Sequence, residues 1–123
     1  FCIISIGQVL MMRWVDPPAS SFMAIRAVSV WLGGNTDFRI AYDWRDLQAV
    51  STQLPIAVVA SEDQRFPTHH GFDFESMRKA YQSNRKGRKT RGASTISQQL
   101  AKNLFLWSGR SYARKALEAW YTV

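Results

Sequence analysis

Residues 92–104 read GASTISQQLAKNL, and this stretch decides how the rest of the chain is read. Thr95 stands three residues ahead of Gln98, the pattern of a capping box, in which the two side chains satisfy backbone N–H groups at a helix start. Behind it Ile96, Leu100 and Leu104 recur every four residues, the spacing of one helical face. The flanks repeat the pattern. From Leu54, Ile56, Val59 and Ala60 share a helical face that leads into Glu62-Asp63. Asp73 reads as the N-cap of the next helix, with Phe74, Met77 and Tyr81 at i, i+3 and i+7 and a stop at Gly87. Ser111 reads as the cap of a last helix, whose apolar stripe is Tyr112, Ala116, Ala119, Trp120 and Val123, with Arg114, Lys115 and Glu118 on another side. Residues 84–92 combine basic groups with two glycines and no apolar residue, so an exposed, mobile loop is expected there. The domain, placed at residues 54–123, is expected to be mainly α.

Ahead of it, residues 1–15 are apolar except for Ser5, Gln8 and Arg13. Spanning a bilayer takes about 20 such residues, so residues 1–15 are expected to be the end of a transmembrane segment. Arg13 and Trp14 suit its interfacial edge, where a guanidinium snorkels and an indole favours the headgroups. A cleaved signal peptide is the alternative, without an A-x-A site to support it. Asp16-Pro17-Pro18 ends the helix, since proline lacks a donor and restricts the residue before it. Residues 16–53 are expected to form a connector, in which Gly33-Gly34-Asn35 turns a hairpin between WL and FRIAY.

A chain of 123 residues holds one domain, and 46% hydrophobic against 20% charged residues excludes wholesale disorder. The net charge is +7, and between Ser76 and Leu117 there are eleven basic residues and no acidic one. Such a field attracts a polyanion, an anionic membrane or a phosphorylated ligand, and charge alone does not choose among them. The single cysteine, Cys2, excludes an intramolecular disulfide and a thiolate cluster, and its apolar setting suggests a small buried side chain. His69 and His70 are too few and too close for a histidine metal site.

Two carboxylates stand out. Glu62 ends an apolar helix, and an acid in partly apolar surroundings suits a general base near neutral pH, although position alone more often describes a surface carboxylate at a helix end. Glu118 is the only acid after Glu75 and lies one turn from Arg114, which alone would make it an i, i+4 ion-pair partner. Lys102 and Arg110 read separately as a solvated face. Together, isolated carboxylates and a basic field describe a site for moving a sugar away from a phosphate: a carboxylate handles the proton and cations carry the leaving charge.

At this point the residues carry a specific resemblance. Glu62-Asp63-Gln64-Arg65-Phe66, continuing through His70-Gly71-Phe72-Asp73, resembles the first motif of glycosyltransferase family fifty-one. Gly92-Ala93-Ser94-Thr95-Ile96-Ser97-Gln98-Gln99 with Lys102-Asn103 resembles the second, and Arg114-Lys115-Ala116-Leu117-Glu118 the third. Pro17-Pro18 followed by Ser21-Phe22-Met23 is similar to the segment after the membrane helix in the monofunctional peptidoglycan transglycosylases. Two departures stand beside it: Ala93 where the family often has a second glycine, and the absence of the later motifs, so that a domain truncated at its C-terminus is expected.

The resemblance implies a lysozyme-like glycosyltransferase fold and an inverting hexosyl transfer that polymerises lipid II into β-1,4 glycan, releasing undecaprenyl pyrophosphate. Glu62 is then the general base on the acceptor hydroxyl. Ser94, Lys102 and Arg110 hold the donor pyrophosphate. Glu118, with Lys115 nearby, orients the acceptor phosphates by polar contacts or through a divalent metal, Mg or Mn, and no organic cofactor is expected. Gln98, Gln99 and Asn103 are expected on sugar hydroxyls and amides. The implied partners are lipid II, the nascent glycan strand, the membrane and other cell-wall synthesis and division proteins. The implied place is the bacterial inner membrane, single-pass, with the catalytic domain on the periplasmic side. Two rivals are weighed: a lysozyme-like peptidoglycan hydrolase, which needs no pyrophosphate cradle, and a basic nucleic-acid-binding module, which the apolar amino terminus fits poorly.

Overall fold

The capping box forms as the sequence predicts. In the computed structural model, described for residues 1–34, 37–87 and 92–123, the Thr95 hydroxyl accepts from Gln98 N and the Gln98 side chain accepts from Thr95 N, starting a helix at Ile96–Phe105. The other helices in chain order are Cys2–Met11, Ser21–Leu32, Gln53–Glu62, Phe74–Arg85 and Tyr112–Thr122, with short 3-10 turns at Leu47–Ala49 and Phe66–Thr68. Numbered along the chain, α1 is Cys2–Met11, α2 Ser21–Leu32, α3 Gln53–Glu62, α4 Phe74–Arg85, α5 Ile96–Phe105 and α6 Tyr112–Thr122. The described residues are thus mainly α, without strands. Asp73 and Ser111 cap α4 and α6 as expected, accepting from Ser76 N and Arg114 N.

Helix α5 is the hub. Its C-terminal carbonyls at Asn103 and Leu106 accept the Ser21 hydroxyl at the start of α2. The Phe105 ring stacks on Tyr121 of α6 with centroids 4.3 Å apart, which leaves Phe105 half-buried. At its other end, the Thr95 hydroxyl also donates to Gly71 O at 2.6 Å. Gly71 has φ +83, and a Cβ there would meet Thr122 O at 2.9 Å, so only glycine brings this loop against the end of α6. Thr95→Ala therefore removes a helix cap and leaves the Gly71 carbonyl without its donor. The expected cost is about 2 kcal/mol, seen as a lower urea midpoint at unchanged m-value.

Burial departs from the periodicity. The buried apolar residues are Ala80, Ala101 and Leu106, and beside them lie buried Ser5, Asp63, Asp73, Thr95, Gln98 and Glu118. Each of these polar side chains is hydrogen-bonded, which is what makes such an interior tolerable. In α6 the expected stripe holds only in part: Trp120 docks on α1, but Tyr112 is 97% exposed, and Glu118, expected on the other side, is 3% exposed. The stripe of α4 is likewise exposed at Phe74 and Tyr81, and Ala80 is the side chain that packs. Spacing fixes which residues share a face, not which face is covered.

The amino-terminal segment also differs from expectation. Within the stretch read as a connector, Ser20 caps a twelve-residue helix, α2, so Trp31-Leu32 ends a helix instead of opening a hairpin. Asn35, in the expected turn, lies outside the described residues, as does the central part of the expected basic loop. Helix α4 runs through Asn84 and Arg85, and Gly87 follows at φ +67. Two of the three polar interruptions of residues 1–15, Ser5 and Gln8, are docking points on α6: Trp120 Nε1 donates to Ser5 Oγ at 2.8 Å, and the Tyr121 hydroxyl meets Gln8 Oε1 at 3.0 Å. Cys2 is exposed, not buried, because the helix turns only its Ser5 face inward. Among the described residues, no helix is long and apolar enough to cross a membrane.

Candidate active-site cleft

The chain turns sharply where α3 ends, and the turn opens a cavity of about 390 Å³. Its walls are the end of α3 and the turn after it, from Ala60 to Arg65, the α4 residues Ser76 and Lys79 with the cap Asp73, and Gly92-Ala93-Ser94 ahead of α5. Glu62 is the last residue of α3 and is exposed to this space. One carboxylate oxygen accepts from Gln99 Nε2 at 2.9 Å. A carboxylate at a helix C-terminus gains nothing from the helix dipole, so the amide of Gln99 is the contact that fixes its direction.

Across the cavity, Arg65 and Lys79 converge on Glu75. Hydrogen bonds from Lys79 and then Arg65 hold the Glu75 carboxyl down at about 2, and the bond to Glu75 raises the Arg65 guanidinium. Asp73 is lowered as well, first by hydrogen bonds from the Ser76 hydroxyl and backbone N–H, with the Arg65 guanidinium adding to them. A carboxyl whose folded value lies below its ordinary value stabilises the fold above that ordinary value and loses the contribution as pH falls through the folded one. The corner should therefore be intact at neutral pH and loosen between about 4.5 and about 2. The Glu75 carboxyl carbon, followed by NMR, should titrate with a midpoint near 2, moving upward in high salt because the groups are partly exposed.

Several of the residues singled out from sequence meet here and others do not. Glu62 and Ser94 share the cavity, and Gln99 reaches it through Glu62. Gln98 is buried, its side-chain oxygen committed to the α5 cap. Lys102 turns toward α2, with Nζ 5.9 Å from the centre of the Phe22 ring. Asn103 and Arg110 are exposed outside the cavity lining. Glu118 and Lys115 form a separate cluster on α6. There, Arg114 Nη1 lies 2.8 Å from Glu118 Oε2, Lys115 pairs with Oε1, and Arg114 Nε donates to Gly109 O at 2.7 Å.

Glu118 is the residue on which a divalent cation was expected. Both of its oxygens already face cations, so a metal ion there would be repelled by Arg114 and Lys115. Among the described residues, no group of three or more His, Cys, Asp or Glu side chains is placed to hold a metal ion. The cluster as it stands does not fit Mg or Mn.

Sequence reasoning passed over Arg65, Lys79 and Asp73 on the cavity wall and gave Arg114 no more than a salt-bridge role. It also missed Asp63 as a site member. The buried Asp63 carboxylate accepts from Ile96 N at 3.1 Å and from His69 Nε2 at 3.0 Å, tying the cavity floor to α5. Its place directly after Glu62 was the available signal.

An α-helical domain with a lone glutamate at the mouth of a polar cleft, and a buried carboxylate directly behind it, is the class that this fold and site define. The chain belongs to the transglycosylase family, whose model matches residues 34–123. It is 55% identical to a biosynthetic peptidoglycan transglycosylase of Xanthomonas axonopodis pv. citri (strain 306) over 123 residues, all of this chain and 50% of that protein. The protein of the same description from Xanthomonas campestris pv. campestris (strain B100) is 53% identical over the same 123 residues and the same 50% share. That from Xylella fastidiosa (strain 9a5c) is 53% identical over 120 residues, covering 98% of this chain and 49% of that protein. The chain thus spans about half the length of the curated relatives it matches.

Proposed function

We propose that this chain is part of a peptidoglycan glycosyltransferase that polymerises lipid II into β-1,4 glycan strands for the bacterial cell wall, releasing undecaprenyl pyrophosphate. The observation that carries the reading is the Glu62 carboxylate, exposed in the cavity and oriented by Gln99, with Ser94 on the same wall. Glu62 takes the proton of the acceptor sugar hydroxyl, which attacks the anomeric carbon of the lipid-linked donor with inversion. As that bond breaks, charge accumulates on the pyrophosphate. The exposed Ser94 and Arg110, with Lys102, are the groups assigned to it, because fixed donors aimed at developing charge lower the barrier most. Gln99 and Asn103 meet sugar hydroxyls and amides. Gln98 contributes by holding the start of α5. Glu118 acts through Arg114 and Lys115, presenting their cationic heads to the acceptor phosphates.

The fold of the whole domain is proposed to be lysozyme-like. The exposed apolar side chains of α1 and α2, among them Ile3, Leu10, Trp31 and Leu32, support a surface in contact with the inner membrane. A single transmembrane pass ending near residue 15 puts the cavity on the periplasmic side, where lipid II and the growing strand are presented and where other cell-wall synthesis and division proteins are available as partners. The test is polymerisation of labelled lipid II in detergent by the natural protein that carries this chain. Polymer resolved on a gel supports the reading, and unchanged lipid II contradicts it.

A further inference from the structure

We propose that His69 is a positioning residue that fixes Asp63 against the start of α5 and thereby sets Glu62; its kinetic consequence rests on the transglycosylase reading above. The observations are geometric. The His69 side chain is 9% exposed, with Nε2 3.0 Å from Asp63 Oδ2 and 3.1 Å from Oδ1. The edge-on ring of Phe66, 6.1 Å away between centroids, flanks it. Asp63 Oδ2 also accepts from Ile96 N, one of the N–H groups at a helix start that lack an intrahelical partner. A carboxylate at that end is favoured by the helix dipole too.

His69 Nδ1 is buried and has no hydrogen-bond partner, the only such side-chain atom among the described residues. A proton on Nδ1 would be an N–H sealed from both water and protein acceptors, whereas a bare ring lone pair is the cheaper orphan. The ring is therefore the neutral tautomer with its proton on Nε2, donating to Asp63. That choice makes His69 a one-sided clamp.

The consequence reaches Glu62 through chain geometry. Glu62 and Asp63 are consecutive and grip α5 at two points about one turn apart, Asp63 at Ile96 N and Glu62 at Gln99 Nε2. The first grip is backbone to buried carboxylate and the second is exposed. When His69 no longer holds Asp63, the second grip loses its register, and Glu62 leaves the position in which Gln99 orients it.

The experiment uses the natural protein that carries this chain, labelled with nitrogen-15 in histidine and glutamine side chains, together with His69→Gln and His69→Phe. Glutamine places its amide nitrogen where Nε2 stands and has nothing at Nδ1, while phenylalanine fills the space without a donor. The wild-type spectrum should show a protonated Nε2 and an unprotonated Nδ1. The Gln99 side-chain signal should move in His69→Phe and return in His69→Gln. In lipid II polymerisation, His69→Phe should lower kcat ~100-fold with KM little changed, and His69→Gln should recover to within about tenfold of wild type. A proton on Nδ1, an unmoved Gln99 signal in His69→Phe, or His69→Gln as impaired as His69→Phe would overturn the proposal. If the wild type makes no polymer, the transglycosylase reading fails, and the spectra alone still decide the clamp.

Discussion

Glu62→Gln should lower the rate of lipid II polymerisation by about a hundredfold to ten-thousandfold, the range for losing a positioned general base. Melting temperature should hardly change. The side chain is exposed at the end of α3, and its hydrogen bond from Gln99 is one that glutamine can replace through its amide oxygen. A large kinetic loss at constant stability separates chemistry from folding. An equal loss of both would make Glu62 structural, and the assignment of the base would fall.

The second large effect lies at Glu118. This carboxylate is buried, and its partner Arg114 has a side chain 12% exposed, so removing the carboxylate leaves a largely buried guanidinium without its counter-charge. Breaking such a pair from one side costs more than the pair itself contributes, and Glu118→Ala should destabilise the fold by about 3 kcal/mol. Lys115 adds less, because its side chain is about half exposed and its charge is screened. Glu118→Gln keeps an acceptor for Arg114 and should fall between the two in urea unfolding. Addition or removal of divalent cations should leave the order of the three proteins unchanged, since the cluster carries its own cations.

How far the sequence could be read depended on which kind of signal each element carries. Helix α5 was legible because Thr95 and Gln98 state a local hydrogen-bond exchange that no distant contact needs to complete. Asp73 and Ser111 were legible for the same reason. Helix α2 was not: Ser20 caps it, but Ile25, Val28 and Val30 are β-branched and its apolar residues surround the axis, so no periodic face announced a helix. Orientation was the harder matter. Tyr112 and Glu118 exchanged their expected places because α6 is covered by α1 and α5, and apolar periodicity contains no information about which neighbour arrives.

The site followed the same division. Glu62, Ser94 and Gln99 were found through short motifs, and the fold brings them to one cavity. Lys102, expected on the donor pyrophosphate, lies outside that cavity lining with its ammonium near Phe22. Asp63 and His69 went unmarked because their partners, Ile96 N and each other, are a backbone group 33 residues away and a loop side chain. Hydrophobic patterning passes over a polar interior by construction. The family resemblance marked the segment, and the hydrogen bonds show what the segment holds.

The most direct test of the central claim offers one preparation of the natural protein both substrates at once: labelled lipid II and preformed, differently labelled glycan. The account predicts that lipid II is consumed into polymer with release of undecaprenyl pyrophosphate, that the glycan is left intact, and that Glu62→Gln stops the polymer. Glycan cut by water while lipid II persists would contradict it, and would make Glu62 the acid of a hydrolase rather than the base of a transferase.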